Sequence, residues 1–184
     1  MALAAGMVAL ALSFARADGK PGRRTAWATL AALSLIALSL FLVTSAAALT
    51  LALAVLLLAA AALDRRFDLP EMGLFVQAGA AVLAYRLIRD PGLDWAEVAP
   101  LAPVLASYLG VAAACAAGLR LLPSGRPLPR AVLESLGLAS AALLVNVLIL
   151  RVLQPDAAQA AGVWQPDWNL SHWGAALHAL PWLI

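Results

Sequence analysis

The fold of this chain follows from one stretch, TAWATLAALSLIALSLFLVTSAAALTLALAVLLLAAAAL, which runs from Thr25 to Leu63. Its 39 residues include no Asp, Glu, Lys or Arg. A helix needs about 20 apolar residues to cross roughly 30 Å of hydrocarbon, so the stretch is long enough for two crossings. The polar pair Thr44-Ser45 divides it into residues 26–43 and 46–63. We expect two helices joined by a tight turn; the alternative is one long, tilted helix.

The composition of the whole chain agrees with a membrane location. The protein has 184 residues, of which 64% are hydrophobic and 12% are charged. A soluble domain averages roughly 45–50% apolar and about 25% charged residues, so an ordinary soluble domain is excluded. The net charge of +2 is small and the basic residues are scattered, which does not fit a nucleic-acid-binding surface. We therefore expect the lipid bilayer, and no nucleic acid, as a partner.

Further apolar stretches complete the predicted architecture. They cover residues 1–15, 72–88, 101–121 and 131–153, and the first of them is short. With the two crossings above, they give about six complete crossings. A last apolar run, residues 171–184, would reach only about 21 Å as a helix. The sequence predicts an all-α, polytopic transmembrane helical bundle with about six complete crossings and a truncated seventh.

The ends of the chain carry two further expectations. Because the last apolar run is shorter than the bilayer, we expect residues 1–184 to form a single transmembrane region within a longer polypeptide. The first run could be mistaken for a signal peptide, since Ala15-Arg16-Ala17 imitates a cleavage site. However, no basic residue precedes it, and Lys20, Arg23 and Arg24 follow it, where positive charge resists export. We interpret it as a membrane helix.

A short helix is predicted in the loop that follows Arg89. Asp94 stands where an N-cap would be, and Glu97 stands three residues later, as in a capping box. Leu93 and Val98 are spaced as the matching hydrophobic staple. The sequence thus predicts that this helix begins directly after Asp94.

The basic residues sort to one side of the predicted bundle. If the crossings alternate, one side holds nine of the 12 basic residues and the other side holds three. The nine are Arg16, Lys20, Arg23, Arg24, Arg65, Arg66, Arg120, Arg126 and Arg130, and the three are Arg86, Arg89 and Arg151. The positive-inside rule places the larger group in the cytoplasm, so we expect the amino terminus to face outward.

Three polar residues inside the predicted crossings are candidates for an intramembrane site. A carboxylate in the membrane is costly, which makes Glu134 a functional candidate. The structural alternative is an ion pair with Arg130, four residues earlier, near the amino end of the helix. Asn146 and Gln77 would either line a polar path or bond to a neighbouring helix, which is typically worth about 0.6 kcal/mol.

Residues on the predicted outer face form a second candidate site. Arg86, with Tyr85 and Arg89, would form a rim that holds an anionic group, and the alternative is snorkelling of its side chain to lipid phosphate. Trp164 and Trp168 lie four residues apart and would form an aromatic platform for a sugar or a peptide. An interfacial aromatic belt explains the two tryptophans equally well.

No sequence motif for a catalytic, nucleotide or metal site is present. The chain contains no Walker loop, HExxH or GxSxG pattern. His172 and His178 are six residues apart, which turns them to different helix faces. Cys115 is the only cysteine in the sequence, so no internal disulfide forms, and we interpret it as a buried small hydrophobic residue. We expect no catalytic residue, no metal and no cofactor.

The charged residues and prolines between the apolar runs form a pattern that resembles a known family. It consists of Leu63-Asp64-Arg65-Arg66, the sequence RPLPRAVLE at residues 126–134, and Ser171-His172-Trp173 after a Trp-rich link. Over residues 26–184 the chain resembles a segment of the large bacterial "predicted membrane protein" family with a domain of unknown function, whose members have many consecutive helices. The resemblance implies a bacterial inner (cytoplasmic) membrane location and a truncated sequence. That family has no established activity, so the resemblance implies no site residue.

These observations predict a non-enzymatic envelope scaffold or assembly component, packed against other transmembrane helices of the same or a partner chain. The alternative is a transporter or flippase-like module for a small or lipid-linked substrate, which needs broken helices or midplane charges. A third class is a membrane transferase acting on lipid-linked sugars. It would need acidic or histidine residues clustered at one membrane face, and Asp90, Asp94 and Glu97 form such a cluster.

Single cysteines at Gly22 and Gly125, introduced into a Cys115→Ala background, test the predicted orientation. We expect both to react with a membrane-impermeant maleimide in inside-out vesicles but not in intact cells, because the neighbouring arginines place them in the cytoplasm. A cysteine at Asp94 is the matched control, and it should react in intact cells. Labelling of position 22 or 125 in intact cells would contradict the orientation.

Overall fold

A computed structural model describes residues 2–17, 22–44, 46–153 and 179–182. Within these ranges the regular secondary structure is helical, without strands, which confirms the all-α prediction for this part of the chain. The elements are α1 (Ala2–Ala17), α2 (Arg23–Val43), α3 (Ala46–Phe67), α4 (Met72–Ile88), α5 (Gly92–Val98), α6 (Leu101–Leu121), α7 (Pro127–Leu153) and a 3-10 turn (Leu180–Trp182).

The long uncharged stretch forms two separate helices. Helix α2 ends at Val43, and Thr44 has the extended conformation, with φ −105° and ψ 148°. The Thr44 amide and hydroxyl both donate to the Leu40 carbonyl, at 2.9 Å and 2.6 Å. Both bonds close the last turn of α2, and the extended backbone of Thr44 ends the helix without Gly or Pro. The two-helix interpretation is confirmed and the single long helix is wrong.

Four or five helices in the described part of the chain are long and apolar enough to cross a membrane, compared with six predicted crossings. Among the described residues, α2, α3, α6 and α7 are the four helices long and apolar enough to cross a membrane. Helices α4 and α5 are bent by 51° at their junction and would together count as a fifth span. Helix α1 has 16 residues, or about 24 Å, which is less than the usual bilayer core. The prediction of six complete crossings is therefore not confirmed, and most of the expected seventh lies outside the described residues.

Four helices form a ring around the buried core. Helix α6 packs against α3 and α7, and α4 packs against the same two helices on the opposite side. Helices α1 and α2 form a hairpin that contacts the ring through α2, while the short α5 packs against α4 and α7. The largest fully buried apolar side chains include Leu57, Met72, Leu83, Tyr108, Leu133 and Val147.

Large apolar side chains also cover the outside of the bundle. Leu42, Val55, Leu74, Leu109 and Leu138 lie on five different helices, and each is more than half exposed. Water would not solvate apolar surface of this extent, whereas hydrocarbon does. The exposed leucines and valines therefore agree with the several membrane-capable helices, and the chain is a multi-pass membrane protein.

Small residues allow α6 to pack closely against α7. A Cβ atom added to Gly118 would lie 2.8 Å from Cδ1 of Leu133, and one added to Gly137 would lie 3.1 Å from Cβ of Cys115. A side chain at either glycine would therefore require Leu133 or Cys115 to shift, as is usual where membrane helices approach through small residues. Cys115 itself is buried in this interface, so its interpretation as a small hydrophobic residue is confirmed.

The predicted capping box of α5 is wrong. The helix begins at Gly92, and Asp94 is its third residue and makes no side-chain cap bond. Gly92 has a φ of +78°, which a residue with a side chain rarely adopts, so the chain turns into the helix three residues earlier than predicted. Asp94 lies in the first turn, where its charge is favourable toward the positive end of the helix dipole.

Gly118→Val tests the close packing of α6 on α7. We expect it to lower the free energy of unfolding by about 1–3 kcal/mol, because the buried Leu133 has to move. Gly6→Val is the control, since an added Cβ there meets nothing within 4 Å. Unfolding of both purified variants in detergent measures the difference, and equal stability of the two would contradict the packing.

Candidate functional site

The guanidinium of Arg86 is buried where α4 ends. Arg86 is 3% exposed, and its Nε donates a hydrogen bond of 3.3 Å to Oγ1 of Thr50 on α3. Its Nη1 lies 3.5 Å from a carboxylate oxygen of Asp90. Its Cζ lies 5.8 Å from the ring centroid of Phe41 on α2, a distance typical of a cation–π contact. Residues of three helices thus surround this positive charge.

These contacts replace the predicted snorkelling of Arg86. The side chain is buried in the bundle and bonded to Thr50 instead of extending to the surface, so the snorkelling interpretation is wrong. A buried charge requires a charged or hydrogen-bonding partner, and Asp90 supplies the anion from within the chain. The sequence predicted that Arg86 would help to hold an anionic group. In the structure, Asp90 of the same chain, four residues later, provides that group.

A chain of hydrogen bonds continues from this cluster across the bundle. The Tyr108 hydroxyl donates to the carbonyl of Leu87 at 2.8 Å, and the Ser140 hydroxyl donates to the carbonyl of Tyr108 at 2.7 Å. They join α7 to α6 and α6 to α4. The narrow cavity between Thr50, Arg86, Trp95, Ser107 and Tyr108 has no room for a water molecule. The polar cluster is therefore packed and does not form a water-filled path.

Arg151 binds the carboxyl end of α5. Its Nε donates to the Ala96 carbonyl at 2.8 Å, and its Nη2 donates to the carbonyls of Ala96 and Ala99. The last carbonyls of a helix have no partner within that helix, and a cation is favourable beside them. Helix α7 thereby fixes the position of the short α5.

The opposite end of the bundle contains a second buried charge. Asp64, near the end of α3, is fully buried and accepts hydrogen bonds from Nε and Nη2 of Arg126, both at 3.1 Å. Nη2 of Arg126 also donates to the exposed Asp68 at 2.8 Å. This bidentate geometry is the strongest form of arginine–carboxylate contact. The hydrogen bond to Asp64 is the main cause that raises the pKa of the Arg126 guanidinium above its ordinary value.

Two further arginines join helix ends at this side. Nη1 of Arg65 donates to the Arg120 carbonyl at 3.1 Å, and Nη1 of Arg130 donates to the carbonyls of Leu119 and Leu122 at 2.8 Å and 3.1 Å. Both therefore bind the end of α6. The predicted ion pair between Arg130 and Glu134 is wrong, because Arg130 turns toward these carbonyls. We use the name arginine ties for the contacts made by Arg65, Arg86, Arg126, Arg130 and Arg151.

The three predicted intramembrane residues do not meet in one site. Glu134 is exposed on the surface of α7. Gln77 donates to the Gly73 carbonyl and Asn146 to the Ala142 carbonyl, each at 3.1 Å within its own helix. Gln77 also lines an open groove of about 490 Å³ between α4 and α7. Glu134 and Asn146 are 12 residues apart on α7, or about 18 Å.

Trp164 and Trp168 lie outside the described residues. The outer-face platform that they would form stays a prediction, and Arg86 is the member of that site whose surroundings are known. Within the described ranges, no group of three or more His, Cys, Asp or Glu side chains is placed to hold a metal ion. In comparisons with protein families, with curated proteins and with solved structures, the chain matches none of them.

Sequence reasoning missed the pairing of Asp64 with Arg126, which are 62 residues apart. One signal was present: Asp64 and Asp68 are four residues apart, a spacing that would place both carboxylates on the same side of a helix that reached Asp68. The partners Thr50 and Tyr108 carried no comparable signal, because a hydroxyl in an apolar run has many structural uses. Their role depends on which helices become neighbours.

Arg126→Gln tests the contact with Asp64. We expect a loss of about 3–5 kcal/mol in the free energy of unfolding, because the variant leaves a buried carboxylate without its cation. Arg66→Gln is the matched control, since Arg66 is exposed and lies two residues from Asp64; we expect a change within about 0.5 kcal/mol.

Adding Asp64→Asn to Arg126→Gln should recover part of the loss, because it removes the unpaired charge. Chemical unfolding of the three detergent-solubilised variants and the unaltered protein measures these differences. A similar stability of the Arg126 and Arg66 variants would contradict the importance of the pair.

Proposed function

We propose that the chain is a non-enzymatic scaffold within a helical membrane assembly. The observation that carries the proposal is that arginine ties join different helices at both ends of the bundle. Arg65 and Arg130 bind α3 and α7 to the end of α6, and Arg151 binds α7 to the end of α5. Contacts of this kind hold neighbouring helices at constant relative positions, which is what a scaffold requires.

Relative movement of the helices would break several of these contacts together. Transport by alternating access rocks one group of helices against another. Here such a movement would separate α7 from α6 and α3 from the loop that carries Arg126. Breaking a buried ion pair alone costs about 3–5 kcal/mol. The ties therefore favour a static bundle over one that alternates between two states.

The proposed location is a bacterial inner membrane, with six crossings and the amino terminus outward. Helix α1 would complete the six by local thinning of the bilayer, which costs little per ångström of mismatch. The proposal is supported by the group of arginines near the carboxyl ends of α1, α3 and α6 and by the positive-inside rule. Membership of the bacterial multi-helix family belongs to the same proposal.

Other transmembrane helices are the proposed partners. The open groove between α4 and α7 is lined mostly by small side chains, among them Ala81, Ala84, Ser135 and Ala139. Small residues let two helix backbones approach closely in lipid, where van der Waals packing drives association. A helix of the same chain or of a partner chain would gain such contacts along this groove.

A transporter or flippase-like module is the second candidate. The observation that favours it is the 51° bend between α4 and α5, with the buried Arg86 beside the break. Broken helices with charged groups at the break form substrate sites in many transporters. The scaffold is preferred because Arg86 is already matched by Asp90 and because Arg151 holds α5.

Ser107→Cys in a Cys115→Ala background separates the two candidates. Ser107 is 2% exposed and lines the narrow cavity next to Arg86. In a static scaffold, we expect position 107 to stay unreactive toward a membrane-impermeant maleimide from either face. Ser124→Cys, in the exposed loop before α7, is the control and should react from one face. Labelling of position 107 at a rate within about tenfold of position 124 would favour the transporter, because access requires the ties to open.

A further inference from the structure

A narrow apolar cavity of about 180 Å³ lies between α1, α2 and the carboxyl end of α3. Its walls include Val8, Leu12, Leu33, Ile36 and Leu63. An apolar cavity of roughly 150 Å³ in an engineered protein is enough to bind benzene, so this one accommodates a segment of a hydrocarbon chain. Because wall atoms without neighbours lose dispersion contacts, an apolar occupant is favoured there.

One polar atom in the cavity wall has no partner. Thr25 is 5% exposed and lines the cavity, and its Oγ1 makes no hydrogen bond within the described part of the chain. Thr29, one turn further along α2, differs: its hydroxyl donates to the Thr25 carbonyl at 2.8 Å. Buried hydroxyls nearly always have a partner, because burial without one is costly. The Thr25 hydroxyl therefore indicates an occupant with an acceptor oxygen.

The cavity has a polar end and an apolar end. Thr25 is the third residue of α2, whereas Ile36 lies 11 residues deeper along the same helix, or about 16 Å. Ala15 and Phe67, near the carboxyl ends of α1 and α3, line the cavity as well. An occupant with an oxygen at Thr25 would thus extend its hydrocarbon part toward the middle of the helices.

Four exposed arginines stand next to the residues that line the polar end. Arg16 follows Ala15, Arg23 and Arg24 precede Thr25, and Arg66 precedes Phe67. In the described part of the chain, the ion pairs involve Arg86 and Arg126 and none of these four. The nearby carboxylates Asp64 and Asp68 are bound to Arg126. The helix ends around the polar end of the cavity, which we call the cavity mouth, therefore carry an excess of positive charge.

The start of α2 adds to this positive field. Its N-cap is Gly22, which makes no side-chain cap bond, and the first turn has no acidic residue. The first amide groups of a helix are donors without partners inside the helix, and they favour an anion. Together with the unpartnered Thr25 hydroxyl, they place hydrogen-bond donors where a phosphate and an ester group would meet the protein.

We propose that this cavity is a binding site for an anionic phospholipid. The cavity takes a segment of one acyl chain, the Thr25 hydroxyl donates to an ester carbonyl oxygen, and the arginines at the mouth bind the phosphate. Basic clusters next to membrane helices attract anionic lipids, so phosphatidylglycerol is preferred over a zwitterionic lipid with the same chains. The site goes beyond the scaffold function and does not depend on it.

Native mass spectrometry of the full chain in detergent measures this preference. The probes are phosphatidylglycerol and phosphatidylcholine with identical acyl chains. We expect the unaltered protein to retain one phosphatidylglycerol, with phosphatidylcholine bound about tenfold more weakly. Arg23→Gln with Arg24→Gln should reduce that preference, because it removes charge from the mouth. Equal retention of the two lipids by the unaltered protein would overturn the proposal.

Two substitutions in the wall test the position of the lipid. Ala32→Phe fills the cavity and should lower phosphatidylglycerol retention about tenfold, whereas Ala84→Phe, in the groove between α4 and α7, should not change it. Thr25→Val keeps the shape of the side chain and removes the hydroxyl, and we expect about a fivefold loss from the missing hydrogen bond. Thr44→Val makes the same change at the other end of α2 and is its control.

Helical content by circular dichroism identifies any variant that fails to fold. If Ala32→Phe does so, Thr25→Val decides the result, because its two side chains have nearly the same shape. Retention of phosphatidylglycerol by folded Ala32→Phe or Thr25→Val at the level of the unaltered protein would overturn the proposal.

Discussion

Asp64 is fully buried, so water does not reach its charge, and the hydrocarbon of a membrane offers no partner for it. The chain supplies the partner itself, through the bidentate contact with Arg126. The carbonyls at helix ends also need hydrogen-bond partners, and Arg65 and Arg130 donate to those at the end of α6. Because each of these arginine contacts joins separate helices, the contacts also determine how the helices are arranged. The positions of α3, α6 and α7 therefore depend on polar contacts at the bundle end as well as on apolar packing.

The two ends of the bundle use the same chemistry with different consequences. At one end the arginine ties join the ends of α3, α6 and α7. At the other end Arg86 lies beside the bend between α4 and α5, and Arg151 binds the end of α5. A bend with a buried cation is where a transporter would place its substrate. Here the cation is matched by Asp90, and the cavity beside it has no room for a water molecule. These local contacts support the proposed scaffold over a transporter, two functions that the element order alone leaves equal.

The α1–α2 hairpin stands apart from this tied ring. It contacts the ring through α2, and the cavity beside it has an unpartnered hydroxyl where the ring has satisfied ones. Ser140 and Tyr108, by contrast, both donate to carbonyls within the bundle. The difference separates a core with satisfied hydroxyls from a cavity wall whose Thr25 hydroxyl has no partner in the described part of the chain. An anionic lipid at the arginine-rich mouth would provide the polar partner that the ring obtains from its own helices.

The sequence by itself determined the helical class, the membrane setting and the division of residues 25–63 into two helices, because hydrophobic run length and a single polar pair are local properties. It also sorted the arginines into two groups by loop order. It did not identify their partners: Arg126 and Asp64, or Arg86 and Thr50, are far apart in the chain and meet only when particular helices become neighbours. The start of α5 escaped prediction because Gly92 turns the chain at a positive φ. Only the tertiary structure decided which arginines are buried, since burial depends on neighbours that sequence spacing does not specify.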